Sequence, residues 1–376
     1  MPTIIDGSAS ATFATPLPLL QGGTGSVVGA ISGPNGSAFA LRNRIINGDM
    51  RIDQRNNGAA VTVTGFVFTV DRYGAGNNTG TGTISLQQAT LGNAKSLKAT
   101  ATSAITTLTA NNNIRVLQQV IESQNIFDLN NKAVTLSFLV ETNWSGNLAV
   151  ALTNGAGTRS YATDVAVVSG TNVVSVTLTL ESNTVATNNN TSGFVLLIGS
   201  NNEGDRRAAT AGVWGAGNLW VSPNSTQWAK TTGNFINVTN VQLEEGTVAT
   251  PFERRPIGVE LALCQRYLPA FNSLSTLHTL GAGQAISTAS VLIPMNLPVT
   301  ARVAPTGLIL SALAHLTART ATGGSAPLFS SASISNSSTT CPELYLQGSS
   351  GLVTGDASIA FFNTNGAFLY FTGCEL

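Results

Sequence analysis

Short runs of alternating apolar and polar residues, separated by clusters of Asn, Gly and Thr, recur along most of the chain. Residues 59–63 (AAVTV) and 83–86 (TISL) alternate with the period of two that turns one strand face toward a core. Residues 134–140 (VTLSFLV) form a strong core strand, and 147–152 (NLAVAL) and 173–180 (VVSVTLTL) follow. Residues 194–199 (FVLLIG) are apolar enough to predict burial on both faces. Residues 114–121 (IRVLQQVI) read as a strand despite a mixed period. Turn chemistry at Asn77-Asn78-Thr79-Gly80 and Asn188-Asn189-Asn190 separates the runs. Many short strands at this spacing predict a jelly-roll-like β-sandwich over residues 43–255.

The period changes at residues 256–269, PIGVELALCQRYLP. Ile257, Leu261, Cys264 and Leu268 recur at spacings of four, three and four, which is one face of a helix. Pro256 suits a first helical position, and Pro269 stops the helix. Residues 270–376 read as a second β-rich body, with runs at 290–295, 357–362 and 367–371. Asn363-Thr364-Asn365-Gly366 lies between the last two runs and predicts a hairpin. Residues 323–327 and 331–340 read as loops. Residues 1–42 read as an extended arm, with prolines at 16 and 18 and glycines at 22, 23 and 25. The architecture expected is therefore all-β: a sandwich, a short linking helix and a second β-rich C-terminal domain. No strict internal repeat argues for a β-helix.

Composition narrows the setting. Only 10% of residues are charged against 43% hydrophobic, so the polar surface must come from Asn, Thr, Ser, Gln and Gly. Such surfaces suit secreted, virion or sugar-facing β proteins, and also large subunit interfaces. Eighteen basic residues balance eighteen acidic ones, which gives no global pull on nucleic acid or an anionic membrane. Arg42, Arg44, Arg51, Arg55 and Arg72 gather locally, and pairing with Asp49, Asp53 and Asp71 is expected. The N-terminus lacks the basic and apolar regions of a signal peptide, and no apolar run approaches the roughly 20 residues that span a bilayer. No zinc spacing is present; Cys264 is expected as a buried thiol, and the sequence does not decide whether Cys341 and Cys374 pair.

Two segments resemble a known family. Asn43-Arg44-Ile45-Ile46-Asn47-Gly48-Asp49, then Gln54-Arg55 and Val70-Asp71-Arg72-Tyr73, resembles the opening of a domain in bacteriophage tail-fibre and related virion proteins. VQLEEG (241–246), ATPFERRP (249–256) and ELALCQRYL (260–268) resemble the strand-to-helix junction that closes that domain. The resemblance covers about residues 43–269. It implies a virion protein made in the host cytoplasm, assembled as a homo-oligomer, commonly a trimer, with the arm docking onto other virion proteins or threading between sister chains. No cofactor, nucleic acid or membrane insertion is expected. At the junction, Glu244, Glu245, Glu253, Arg254, Arg255, Leu261 and Cys264 are expected to act structurally, pinning strand to helix.

Candidate chemistry is sparse. A glycosidase needs two carboxylates across a sugar bond, and Asp49, Asp53, Asp71, Glu122, Glu141, Asp164, Glu203 and Asp205 give no pairing signal. No GxSxG elbow accompanies His278 or His315. Sugar binding needs exposed aromatics beside amides and hydroxyls. Trp144 and Trp214 are candidates, while Trp220 and Trp228 are expected in the core. Ser331, Asn336 and Thr340 lie in a Ser/Asn/Thr run in the body distal to the arm, and with the 321–328 loop they are the favoured contact for a host surface glycan. Three functions follow in order: a fibre subunit contributing to host attachment, a purely architectural neck, collar or capsid-attached fibre protein, and a polysaccharide depolymerase.

Overall fold

The computed structural model describes residues 41–109, 113–182, 185, 188–320 and 329–376. The arm up to residue 40 and the 321–328 loop lie outside the described residues. The first body opens with β1 (Val61–Thr62), β2 (Gly65–Phe68), β3 (Gly74–Asn77), β4 (Thr83–Leu91), β5 (Ala94–Ser103) and β6 (Ile114–Glu122). It continues through β7 (Ala133–Thr142), β8 (Gly146–Asn154), β9 (Arg159–Val167) and β10 (Gly170–Thr179). It ends with β11 (Ser192–Ile198), β12 (Val213–Ala216) and the long β13 (Phe235–Glu245). Helix α1 (Ile257–Gln265) leads to β14 (Ala270–Asn272), β15 (His278–Ala285), β16 (Ser290–Pro294), β17 (Gly307–Leu310) and β18 (Leu316–Thr320). Four strands close the chain: β19 (Phe329–Ile334), β20 (Glu343–Gly348), β21 (Ala357–Phe362) and β22 (Phe368–Thr372).

Two antiparallel sheets, ordered β1-β4-β5-β13-β7-β10 and β12-β9-β8-β11-β6-β3-β2, face each other in the first body. The chain passes repeatedly from one to the other, in the manner of a jelly roll. Leu97, Leu136, Val140, Leu152, Phe194 and Ile236 belong to the single core between them. Strand β7 shows why the period of two matters: Leu136, Phe138 and Val140 are buried, and the intervening Ser137 and Leu139 are less so. β8 and β11 read as continuous apolar runs because their outer face is covered too. Leu219, Trp220 and Val221 cross it and pack on Ala149, Ala151 and Leu197.

Two bulges interrupt the alternation. Leu117 has φ 36° where the β3–β6 register shifts between Gly74 and Gly76, which accounts for the mixed period of residues 114–121. Asn240 has φ 55° where the β13–β7 register shifts between Thr239 and Gln242. This second bulge releases the backbone of Val241 from the ladder, with consequences at the junction.

In the second body, a three-stranded sheet (β14-β22-β17) and a six-stranded sheet (β18-β21-β15-β16-β20-β19) enclose a core that includes Ile293, Leu344, Phe362 and Phe371. The expected terminal hairpin is not formed. β21 pairs with β15 and β18, whereas β22 pairs with β14 and β17, so the two runs part into different sheets. The residues between them bond outward: Asn363 reaches Ala314 and Thr317, and the Gly366 N–H meets Ser273 O. The run at 331–340 is only partly loop. Ser331 sits in β19, an edge strand paired with β20.

Helix α1 keeps only part of the expected face: Cys264 and Leu268 are buried as the spacing predicts, and the N-terminal half departs from it. Ile257 is 53% exposed and Leu261 is half-buried; Glu260 and Cys264 point inward, followed by Tyr267 one turn on. Glu260 takes an inward place because its carboxylate meets the Asn47 N–H and the Arg255 guanidinium there. Pro256 is the N-cap, and its carbonyl takes the N–H groups of Val259 and Glu260. All three cysteines are free thiols.

Candidate functional site

The residues that carry the family resemblance are brought together although they lie about 200 positions apart in sequence. Segment 43–48 runs beside the β13 bulge. The Asn43 side chain donates to Val241 O at 3.1 Å and accepts from the N–H groups of Ile45 and Leu243. The freed Val241 N–H donates to Gly48 O at 2.8 Å. Asn47, held at φ 58°, donates its side-chain amide to Ile52 O and Asp71 O. Its backbone N–H donates to the Glu260 carboxylate of α1 at 2.5 Å. Arg255 is buried and caps the carbonyls of Asn43 and Ile45, with Glu260 at 3.4 Å and Glu253 at 3.9 Å. Glu253 also accepts the Asn43 N–H at 2.7 Å. Backbone groups that would be unpaired and buried are thereby satisfied, which such segments require.

A second cluster fastens the helix end to both bodies. Arg266 grips the buried Glu122 carboxylate through two hydrogen bonds of 2.9 and 2.7 Å, and the Tyr267 hydroxyl donates to it at 2.6 Å. Arg72, at φ 73°, lays its guanidinium 3.5 Å from the Tyr267 ring centre and donates to Val120 O. Arg302 of the second body donates to Asn190 O of the first body at 2.9 Å and to the carbonyls of Cys374 and Glu375. Arg55 pairs with Glu375 at 2.6 Å. Burial alone would raise the Glu122 pKa, but the bonds from Arg266 and Tyr267 outweigh it and hold the carboxyl below its ordinary value. Burial pushes Tyr267 up to about 12 and Cys264 well above a free thiol, so neither is a poised acid or nucleophile at neutral pH.

The expected arginine pairing holds only for Arg51 with Asp49, at 2.5 Å. Arg42 faces Glu244, Arg44 pairs with Asp128, and Asp53 instead accepts the N–H groups of Asn56 and Gly58. Glu244 is buried and accepts from Thr250 and Gln242, closing the turn after β13. Glu245 pairs with Lys132 at the surface, and Arg254 is exposed. Tyr73 is fully buried and packs into the sandwich core.

Asp71 is also buried, with Gln54 as its donor, and burial raises its pKa to about 6. A carboxyl raised in the folded state favours folding fully below its unfolded pKa, and that contribution is lost as pH rises through the folded value. The stability attributable to Asp71 should therefore fall between about pH 4 and 6, by roughly 3 kcal/mol. Asp71→Asn should remove this fall, because the Gln54 amide can rotate to bond an amide. Urea midpoints of wild type and variant at pH 4 and pH 7 check it, and identical pH profiles would disprove it.

The sugar-contact candidates fare unevenly. Trp144 is only 9% exposed, lies in the sandwich core and donates its ring N–H to Phe235 O; it is not a surface contact. Trp214 lies on edge strand β12, half-buried against Tyr161 and Phe194, with its ring N–H on Thr179 O. Trp228 is buried in the sandwich core as expected; Trp220 is buried too, but on the outer face of β8 and β11 instead of in that core. Ser331, Asn336 and Thr340 are exposed, and Asn336 is bonded to Glu343. A groove of about 370 Å³ on the outer face of the six-stranded sheet of the first body, lined by Ser137, Val173, Asn240 and Phe252, was not legible from strand patterns because a bulge and a loop build it. The carboxylates considered for hydrolysis are engaged: Glu141 by Asn237, Asp164 by Ser222 and Ser225, Glu203 by Lys230 and Asp205 by Arg206. Among the described residues no group of three His, Cys, Asp or Glu could hold a metal ion, and no helix is long and apolar enough to cross a membrane.

No family model matches the chain, and no curated protein matches it in sequence. Solved structures give distant likenesses. The enzymatically active domain of bacteriophage CBA120 tailspike protein 4 aligns at TM-score 0.25 and 13% identity, over 54% of this chain and 21% of that chain. A CBM4 structure aligns at TM-score 0.26 and 11% identity, over 53% and 98%. The tandem CBM22 domain of Paenibacillus barcinonensis Xyn10C aligns at 0.27 and 11%, over 89% and 98%. At these scores the likenesses say nothing of this chain's chemistry.

Proposed function

We propose that this chain is a bacteriophage virion structural protein, a tail-fibre subunit that assembles as a homotrimer and contributes to host attachment through surface sugars without enzymatic activity. The observation that carries the reading is the convergence of the resembling residues. Asn43, Asn47, Asp71, Arg72, Glu253, Arg255, Glu260, Arg266 and Tyr267 all serve the joint between two β bodies. A sequence signature spent on a buried joint is the signature of an architectural part, not of a reaction centre.

Oligomerisation is supported by what the described residues leave uncovered. β10 is a ten-residue edge strand with Val173 84% exposed, and Leu274, Leu277 and Ile309 are exposed on the second body. Long open edges and scattered large apolar groups need cover in a stable particle component. Light scattering of the purified chain should give about three times the 38.7 kDa chain mass. A monomer at micromolar concentration would refute the trimer. A trimer that is found in particles but competes with no phage for host adsorption would favour the neck, collar or capsid-attached reading.

A further inference from the structure

The seven-stranded sheet of the sandwich presents an outer surface whose chemistry the joint does not use. Phe66 on β2, Gly76 on β3 and Arg115 on β6 are lateral neighbours across three strands. The glycines of β3 clear the floor: a Cβ at Gly74 would lie 2.4 Å from the Phe66 ring, and one at Gly76 would lie 3.1 Å from Arg115 Nε. The Arg115 guanidinium carbon lies over this floor, 4.9 Å from the Phe66 ring centre and 5.4 Å from that of Trp220. Arg206 stacks on the same Trp220 ring at 5.1 Å. Two cations thus share one indole, and Phe66 stays 40% exposed beside them.

Like charges are not placed together without an electrostatic cost. Burial, and after it the charge of Arg206, lowers the Arg115 pKa from its ordinary value. Among the described residues Arg115 has no carboxylate partner, and it donates to the neutral Gln118 side chain at 3.4 Å. Asp205 sits 3.4 Å from Arg206 Nε and pairs with that guanidinium, which leaves the charge of Arg115 uncompensated among the described residues. The face is left with an excess positive charge in a chain whose formal net charge is zero. Planar guanidinium groups match a carboxylate in two-pronged fashion, and an exposed aromatic ring accepts the apolar face of a sugar.

We propose that this face binds an acidic saccharide, with its carboxylate between Arg115 and Arg206 and its ring against Phe66. The proposal rests on the attachment reading and names the ligand class for it. It places contact on the first body rather than on the β19–β20 region. Three observations converge on it: the paired cations, the glycine-cleared floor and the exposed ring.

The test is calorimetric titration of the full chain with tri-galacturonic acid and with its methyl ester. The acid should bind, the ester should bind at least about tenfold more weakly, and salt should weaken the acid alone. Arg115→Gln and Arg206→Gln should each lose about tenfold, and Phe66→Ala should weaken binding while leaving the preference for acid over ester. Arg206 is part-exposed, so its variant keeps the test valid if Arg115→Gln proves unstable by thermal melt. Equal binding of acid and ester, or wild-type affinity in Arg206→Gln, would overturn the proposal. If the chain competes with phage for host cells yet binds no tri-galacturonate, the ligand class falls and the attachment reading stands.

Discussion

Glu122→Ala is expected to cost roughly 3–5 kcal/mol of folding stability, toward the lower end because Arg266 is partly exposed. Wild-type Glu122 is fully buried and takes three charge-assisted or hydroxyl hydrogen bonds from Arg266 and Tyr267. Truncation leaves the Tyr267 hydroxyl and a half-sheltered guanidinium without their acceptor, and unpaired groups cost more than the pair was worth. Because the lowered Glu122 pKa stabilises the fold above its unfolded value and is lost as pH falls through the folded one, wild type should also lose this contribution in acid and the variant should not. Denaturant titration measures both, and hydrogen exchange should show α1 opening before the core strands do. A loss below 1 kcal/mol would mean that the joint is held by packing of Ile46, Ile52 and Tyr267 and not by its charges.

The strands were legible in sequence where one force acted alone. In β7 and β4 a single core faces a single side, so polarity alternates and the run declares itself. Where a second layer intervenes, as Trp220 does over β8 and β11, alternation vanishes but strand length and apolarity still serve. Helix α1 was legible as a helix and only in part as a face: Cys264 and Leu268 are buried as the spacing predicts, whereas Ile257 is exposed and Glu260 is buried instead. Spacing reports hydrophobicity, whereas burial of Glu260 is set by a backbone N–H at Asn47, more than 200 residues away. The terminal hairpin failed for a related reason. Asn363 and Gly366 have the chemistry of a tight turn, yet they are bound to Ala314 and Ser273, and local turn propensity gives way when distant partners satisfy the same groups. The Arg115 and Arg206 pair was illegible altogether, because nothing in linear spacing brings residues of β6 and of the loop before Trp220 onto one indole.

Gly48→Ala is the sharpest test of the bulge that organises the joint. A Cβ at Gly48 would stand 2.2 Å from Val241 O and 3.2 Å from the Phe252 ring. The carbonyl cannot swing aside cheaply, because it accepts the Asn43 side chain, and the Val241 N–H is bonded to Gly48 itself. Relief must come from moving segment 43–48 off β13, which would break the Asn47 to Glu260 bond and the Arg255 caps at once. One methyl group should therefore cost roughly 3 kcal/mol, as overpacking against fixed backbone does. Glycine here answers a close backbone approach and not a turn, since its φ is not in the left-handed region that Asn47 and Met50 occupy on either side. Thermal and urea midpoints of the purified variant read the effect. A Gly48→Ala protein as stable as wild type would show that the 43–48 segment is free to leave β13, and the proposed joint would lose its anchor.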